Sequence, residues 1–394
     1  MFPTDVVIVA GARTPMARYT GVFSEVSAIE LGAHAAKGAV QRSGVDPDEI
    51  DHVVFGNVLQ TSSDAIYGAR HVGLRAGLKL EAPAVTVNRL CGSGIEAIAQ
   101  AAQRLLLGEA NMVVAGGMEN MTQAPFVIRG ARTGLKLGGG VLEDFLLVGL
   151  TDSYCGLPMA LTAEKLGAQA GITRVDADGY ALRSQQAAEA AAKAGVFKEE
   201  IVPVEVKQGR KSIVVTEDDH RRPESTLETL SKLPPSFQKD GMVTAGNASG
   251  IVDGAAAVVV TREKIAKERG LKPIGRIVSW AAVGVDPSIM GIGPVPSTRK
   301  ALQLAGLKLG QIDRAEVNEA FAAQYLAVEK ELGLEREKTN VNGGAIALGH
   351  PLAASGTRLV ITVLNELRRK GLRYGLATAC IGGGQGIAMI VEAL

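Results

Sequence analysis

The stretch Asp51-His52-Val53-Val54-Phe55-Gly56-Asn57 returns, altered but recognisable, as Asp313-Arg314-Ala315-Glu316-Val317-Asn318-Glu319. The two copies lie 262 positions apart, and Ser93-Gly94 is repeated as Ser355-Gly356 at the same spacing. Between these landmarks Val87-Asn88 matches Val341-Asn342 at a spacing of 254, so the second copy carries eight extra residues, His350 among them. A long-period repeat of this kind points to a duplicated α/β unit with a histidine on an insertion in one copy.

Working outward, residues 6–10 form an apolar run typical of a strand buried on both faces. Residues 28–43 carry helical spacing and end at Gly44, a usual stop signal. Residues 52–58, 84–87 and 112–115 read as strands, and 94–107 as a helix. Such alternation calls for a mostly parallel sheet with helices on both faces. From 121 to 247 the texture changes. Glycines cluster at Gly134 and from Gly138 to Gly140, and then comes a strong helix opened by Thr173-Arg174-Val175-Asp176, close to a capping box. The polar stretch 217–224 and the corner Leu233-Pro234-Pro235 read as surface loops. The segment is expected to be an insertion or a lid-like module.

With 394 residues the chain has room for two or three domains and a large core. Apolar residues make up 46%, aromatics 4%, and there are 48 glycines, a composition suited to close-packed Ala- and Gly-rich helices on Val-rich strands. Its 42 basic and 41 acidic side chains nearly cancel, which gives no reason to expect nucleic acid or an anionic membrane as partner. Three cysteines, Cys91, Cys155 and Cys380, argue against a disulfide framework and for a reducing compartment. Their spacing fits no zinc site, and no metal is expected. No apolar run approaches a membrane span. Met1-Phe2-Pro3-Thr4-Asp5 runs directly into a strand, so no cleavable signal is expected. The expected setting is the cytoplasm, or the mitochondrial matrix in a eukaryote.

Four segments carry candidate chemistry. Cys91, in Leu90-Cys91-Gly92-Ser93-Gly94, sits between a strand and a glycine-opened helix, where the helix dipole and orphan N–H groups favour a thiolate. It also reads as a small buried hydrophobe at a crowded turn. His350 precedes Pro351 in a glycine-freed loop, where an imidazole can stabilise a thiolate or an oxyanion, or simply be structural. Cys380 precedes Gly382-Gly383-Gly384, either an anion cradle or a tight turn. Asn318, in Asn318-Glu319-Ala320-Phe321, can orient water or a carbonyl, or cap a helix.

Together these segments resemble the thiolase family from end to end. Leu90-Cys91-Gly92-Ser93-Gly94 is similar to the nucleophile motif, and Val317-Asn318-Glu319-Ala320-Phe321 to the asparagine loop. Asn342-Gly343-Gly344-Ala345-Ile346-Ala347-Leu348-Gly349-His350-Pro351 is similar to the histidine loop, and Cys380-Ile381-Gly382-Gly383-Gly384 to the second-cysteine motif. The resemblance implies that Cys91 carries the acyl group and that His350 activates it. It also implies that His350 binds the thioester oxygen together with a water on Asn318. Cys380 would move a proton, and the N–H groups of Cys91 and Gly382 would form a second oxyanion hole. Ser249, in Ala245-Gly246-Asn247-Ala248-Ser249-Gly250, resembles the contact to the pantetheine arm of coenzyme A (CoA). Leu157-Pro158-Met159-Ala160 departs from the His-Met pair of biosynthetic acetoacetyl-CoA thiolases, and Met159 is placed at the substrate. This segment resembles the degradative 3-ketoacyl-CoA thiolases of the mitochondrial type that handles short and medium chains.

The implied fold is two duplicated αβαβα layered domains, 1–120 with 248–270 and 271–394, and a loop domain, 121–247, inserted in the first. CoA and acyl-CoA are expected partners, CoA being a substrate, with no further cofactor and a homodimer or homotetramer as the assembly. The function implied is thiolytic cleavage of 3-ketoacyl-CoA. A biosynthetic condensing role, a decarboxylating condensing enzyme and a catalytically silent acyl-CoA binder are the rivals, although decarboxylating enzymes usually carry a histidine pair where this chain has His350 and Cys380. One position departs from the family pattern: Ala353 stands where glycine is usual. By the repeat it is the counterpart of Cys91, and its methyl is expected to narrow the acyl site or slow turnover.

Overall fold

The computed structural model describes residues 5–394; residues 1–4, on which the expectation about a signal partly rests, lie outside them. Its frame is a ten-stranded sheet. The strands are β1 (Val6–Arg13), β2 (His52–Gly56), β3 (Ala84–Val87), β4 (Met112–Glu119), β5 (Val252–Arg262), β6 (Gly275–Gly284), β7 (Arg314–Val317), β8 (Tyr374–Ile381) and β9 (Gln385–Ala393). They lie in the order β7-β8-β9-β6-β1-β5-β4-β2-β3, with a two-residue strand, Ala17–Arg18, added along β5. The helices that matter here are α1 (Ala28–Ser43), α2 (Ser93–Leu107), α3 (Met159–Gln169), α4 (Arg174–Lys193), α5 (Pro294–Ala305), α6 (Ala322–Leu332) and α7 (Leu352–Lys370).

The repeat is visible in the backbone. β4 and β8 correspond end to end, Met112 with Tyr374 and Glu119 with Ile381, at the 262-residue spacing. β2 pairs in parallel with β3 and β4, and β7 with β8, but the pairings along β1, β5, β6 and β9 are antiparallel, so the sheet is mixed and not the mostly parallel one expected. A parallel bridge from Ala315 to Thr339 stands beside β7 where β3 stands beside β2. Within the sheet the halves join where β1 runs beside β6, through the pairs Val7 with Arg276 and Ile8 with Gly275 among the described residues.

The sheet folds around α2 and α7. One core unites Ile95, Ile98 and Leu105 of α2 with Leu359, Val363 and Leu367 of α7, and takes Val54, Val113 and Val258 from one half and Ala377, Ile387 and Met389 from the other. The alternate strand residues Phe55, Val114 and Val259 face outward onto α1. On the second half Ala301 and Leu302 of α5 cover Val278, Leu376 and Ile390. This is the expected αβαβα layering, and it explains the unbroken apolar strands, which are buried on both faces. From Leu352 to Leu367 every residue of α7 is buried, as a helix in a central layer must be.

α2 and α7 approach too closely for side chains. A Cβ on Gly94 would lie 2.5 Å from the Thr357 nitrogen, and one on Gly356 2.6 Å from the Ile95 nitrogen. Gly94 and Gly356 are repeat counterparts, so each helix supplies the other's missing side chain with space.

Several boundaries differ from the sequence expectation. The strand expected over 112–115 continues to Glu119 through Gly116-Gly117, which look like a break. They are glycines because Phe55 and the Ala353 carbonyl press on them: a Cβ on Gly117 would lie 2.0 Å from the Ala353 oxygen. The strand expected over 52–58 ends at Gly56, since the N–H groups of Val58 and Leu59 turn to the Glu119 carboxylate at 3.2 and 2.9 Å. The capping box at Thr173 and Asp176 forms as expected. The polar stretch 217–224 is not simply a surface loop. Asp218 is buried and accepts two bonds from the equally buried Arg13, at 2.7 and 3.0 Å, and one from the Met16 N–H at 2.8 Å. A carboxylate inside a polar run can serve a distant buried guanidinium, and composition does not reveal it. Nor is the inserted stretch detached: Ala177, Tyr180 and Ala181 of α4 share a core with Val317, Tyr325 and Ile346.

The close approach predicts that Gly94→Ala loses about 1–3 kcal/mol of stability, the usual cost of overpacking. Gly310→Ala, where an added Cβ meets nothing within 4 Å, should change stability by less than about 0.5 kcal/mol. Urea unfolding of the two variants checks this; equal midpoints would contradict it.

Candidate active site

The chain leaves β3, crosses Asn88-Arg89 and makes a tight turn at Leu90–Gly92 before α2 begins. Leu90 takes φ 46°, a left-handed conformation that leucine rarely adopts. The turn is held from both sides. Asn88 Oδ1 accepts from the Leu90 N–H at 2.9 Å, while Ser93 Oγ accepts from the Arg89 N–H at 2.8 Å and donates to the Leu90 carbonyl at 2.6 Å. A Cβ on Gly92 would lie 2.6 Å from Ile381, so the turn sits directly on the end of β8. There the Gly382 N–H donates to the Cys91 sulfur, which its own N–H also reaches. Cys91 is half-buried, beside Leu59, Met121, Leu146 and Leu352.

The thiolate expected from the helix terminus is not favoured in the empty site. Burial pushes the Cys91 thiol up to about 11; the Gly382 and Cys91 N–H groups oppose this, and the Glu119 charge adds to it. Loss of water outweighs the helix end. Nor is the Cys380 thiol lowered by its surroundings. It is fully buried, and burial together with the neighbouring Cys91 charge raises it well above the usual thiol range.

His350 hangs from the loop before α7, its N–H donating to the Gly250 carbonyl at 2.9 Å. Its Nδ1 is bonded to Ser355 Oγ, and the Ser355 hydroxyl reaches the Pro351 carbonyl at 3.3 Å. A hydroxyl that donates to a carbonyl accepts from the ring, which places the proton on Nδ1 and makes Nε2 an acceptor. Asn318 Nδ2 stands 3.3 Å from that Nε2. Burial first, then the Arg358 charge, hold the imidazole down at about 3, so it is neutral at any ordinary pH. Asn318 is fully buried, and its Oδ1 has no protein partner. It needs a donor from substrate or water.

The other residues singled out in the sequence gather nearby. The Met159 sulfur faces Gly382, lying 3.2 Å from where a Cβ there would be. Met159 and Phe321 both pack against the Cys380 cluster. The Ser249 N–H donates to the Ala320 carbonyl at 3.0 Å, alongside the asparagine loop. Cys155 is half-buried and belongs to none of these contacts. Ala353 is fully buried in the first turn of α7. Its methyl borders Gly56, where an added Cβ would meet Ser93 Cβ at 2.7 Å and the Ala353 methyl at 3.3 Å.

Two buried carboxylates escaped the sequence reading. Glu319 accepts from the Tyr180 hydroxyl at 2.6 Å, Ser184 Oγ at 2.7 Å, Asn340 Nδ2 at 3.0 Å and the Ile346 N–H at 3.1 Å. It thereby ties the asparagine loop to the histidine loop and to α4. Glu119 accepts from Asn57 Nδ2, the Val58 and Leu59 N–H groups and the Ala353 N–H. The available signal was an acid inside an otherwise apolar strand or motif. Among the described residues no group of three or more His, Cys, Asp or Glu side chains could hold a metal ion.

Removing the hydroxyl in Tyr180→Phe is expected to cost about 1.5–3 kcal/mol, the range for a hydrogen bond to a charged group. Urea unfolding checks it. Unchanged stability would show that Glu319 does not depend on the Tyr180 hydroxyl.

Comparison with known proteins agrees with this geometry. "Thiolase, N-terminal domain" matches residues 6–264, and "Thiolase, C-terminal domain" matches residues 271–393. The human mitochondrial 3-ketoacyl-CoA thiolase is 53% identical over 388 residues, 98% of each chain. An Escherichia coli acetyl-CoA acetyltransferase is 50% identical over 390 residues, 98% of this chain and 99% of its own. Among solved structures, human mitochondrial 3-ketoacyl-CoA thiolase superposes with a TM-score of 0.98 at 52% identity, covering 99% of both chains. The same human enzyme in complex with CoA gives 0.97 at 52% identity, covering 99% of this chain and 98% of that one. The fold, the four motifs in their order and matches along nearly the whole chain lead to one conclusion: this chain belongs to the thiolase family.

Proposed function

We propose that this protein is an acyltransferase that cleaves 3-ketoacyl-CoA with CoA, giving acetyl-CoA and an acyl-CoA shortened by two carbons, and that it runs the reverse condensation. The observation that supports this reading is a neutral His350 standing 3.3 Å from the buried Asn318, whose Oδ1 is unpartnered, while the half-buried Cys91 packs against Leu352 just after the histidine loop.

The residues suggest the following sequence. The Nε2 of His350 takes the proton of the Cys91 thiol, and the sulfur attacks the 3-keto carbon. The N–H groups of Cys91 and Gly382 hold the resulting oxyanion. The bond between C2 and C3 then breaks, leaving the acyl group on Cys91 and an acetyl-CoA enolate. Protonated Nε2 and a water on Asn318 bind the enolate oxygen, and Cys380 gives its proton to C2. In the second half the Cys380 thiolate takes the proton of an incoming CoA thiol. The CoA sulfur attacks the acyl group, Cys91 leaves, and the proton returns from His350. Since a charge on Cys91 raises the Cys380 pKa, the two sulfurs are charged in turn, and the order of events keeps them so. Ser249, beside the asparagine loop, is proposed to meet the pantetheine arm, and Met159, against Gly382, to border the acyl site.

The degradative direction with short and medium chains is favoured by Leu157-Pro158-Met159 in place of a His-Met pair. Identity of 53% to a mitochondrial 3-ketoacyl-CoA thiolase, beside 50% to an acetyl-CoA acetyltransferase, supports the same choice and keeps the biosynthetic reading as the second one. We also propose a homodimer or homotetramer, supported by the exposed apolar side chains Ile66, Tyr67, Leu80 and Leu107. The cytoplasm, or the mitochondrial matrix in a eukaryote, is proposed as its location; among the described residues no helix is long and apolar enough to cross a membrane.

The test is CoA-dependent thiolysis across 3-ketoacyl-CoA chains from about four to sixteen carbons, the span over which hydrophobic contact grows by each methylene. Activity should peak above four carbons, and Cys91→Ser should lose at least about a thousandfold in kcat, as expected for a missing covalent nucleophile. Activity confined to acetoacetyl-CoA would favour the biosynthetic reading. No turnover at any length would overturn both and leave an acyl-CoA binder.

A further inference from the structure

The two halves of the molecule present one cradle twice. In each, the first turn of a central helix sits on the C-terminal end of a strand from the other half. At the 262-residue spacing Cys91 corresponds to Ala353, and Ile381, which packs on Gly92, corresponds to Glu119. In the Cys91 cradle the N–H groups of Cys91 and Gly382 point at the sulfur. In the other cradle a carboxylate already fills the place of an anion. Glu119, fully buried, accepts from the Ala353 and Val58 N–H groups at 3.1 and 3.2 Å, and from the Leu59 N–H and Asn57 Nδ2 at 2.9 and 3.1 Å.

The position of Glu119 links two parts of the site. Through Ala353 it holds the first turn of α7, which directly follows His350-Pro351, to the turn after β2. Its charge also reaches the Cys91 sulfur. The ionisable groups around it are few. Asp253 on the adjoining β5 is held by Thr122 and the Met121 N–H, Cys91 faces it from the nucleophile turn, and His350 before α7 stays neutral. The turn 57–59 and residues 351–355 bring no charge.

We propose that Glu119 is a positioning residue for acyl transfer, anchoring the start of the helix that follows the histidine loop and setting its carboxylate behind the Leu59 and Leu352 wall of the Cys91 turn. The inference rests on the reading of Cys91 as the nucleophile. It does not require the thiolysis reaction itself, because ionisation of the sulfur can be followed without CoA.

Burial raises the Glu119 carboxyl to about 7, against the pull of its Leu59, Ala353 and Val58 N–H donors. Below that pH the carboxyl is neutral and Cys91 ionises more readily; above it, the new negative charge makes ionisation harder. Two interacting groups of this kind titrate jointly. Alkylation of Cys91 by iodoacetamide, followed on the intact protein by peptide mass spectrometry, reads this directly. In the unmodified protein the logarithm of the rate should climb with pH, flatten near neutrality and climb again. Glu119→Gln should abolish the flattening and alkylate several-fold faster above neutrality, up to about tenfold if the sulfur moves by one pKa unit. Glu119→Asp keeps the charge and should restore the flattening. Thiolysis by Glu119→Gln should fall by about tenfold in kcat with KM changed less than about twofold, as for a group acting through its neighbours.

A straight profile in the unmodified protein overturns the proposal, even if neither variant folds. Identical profiles for the unmodified protein and Glu119→Gln overturn it as well. A flattened profile without thiolysis would uphold the role of Glu119 and defeat the proposed reaction; thiolysis with a straight profile would do the reverse.

Discussion

Everything in this molecule hangs on the contact of α2 with α7. Gly94 and Gly356 let the two helices cross with each backbone against the other, and the starts of both helices come to one place as a result. Cys91 opens one helix and His350 precedes the other. Two elements far apart in sequence thus converge, the Cys91 turn packing against Leu352 just after His350-Pro351, without a long loop or a mobile arm. The same crossing buries α7 along most of its length, which makes the site as rigid as the core.

Duplication supplies the site, and divergence between the copies makes it work. Where one copy has Gly56 the other has Asn318, where one has Cys91 the other has Ala353, and where one has Glu119 the other has Ile381. Each exchange moves a polar group into one half or out of the other. Ser93 and the methyl of Ala353 both close on Gly56, which has no room for a side chain. The carboxylate of Glu119 satisfies backbone donors in its own half, and apolar Ile381 stands at the matching place next to Gly92. Asymmetry is what turns a pseudo-symmetric scaffold into a place for directional chemistry.

Much of this was legible in the sequence. β4 and β8 correspond at the repeat spacing read from other segments, and α1 and β3 fall where periodicity placed them, because local burial patterns set them. The four motifs were legible as well, since glycine, proline and cysteine in fixed order constrain local backbone. What escaped is non-local. Gly116-Gly117 look like an interruption until the Ala353 carbonyl is seen pressing on them. Asp218 looks like surface until Arg13, 205 positions away, is found beneath it. The preference of Cys91 for the neutral thiol also could not be read from the helix start alone, because it depends on how much water the whole fold removes.

That neutrality has a consequence for the proposed reaction. A thiolate standing free in the empty site would be open to oxidants and alkylating agents, whereas a thiol raised to about 11 is inert until something takes its proton. The imidazole held at about 3 is a weak base in water, but the proposed transfer creates an ion pair, which in a low-dielectric interior costs less than creating one isolated charge. Substrate tips that balance by bringing an electrophilic carbon to the sulfur and an oxygen to the N–H groups of Cys91 and Gly382. Charge then passes from sulfur to oxygen as the bond forms, and the site never has to stabilise a bare thiolate. The burial that makes each cysteine unreactive alone is, on this account, what ties its reactivity to the presence of a thioester.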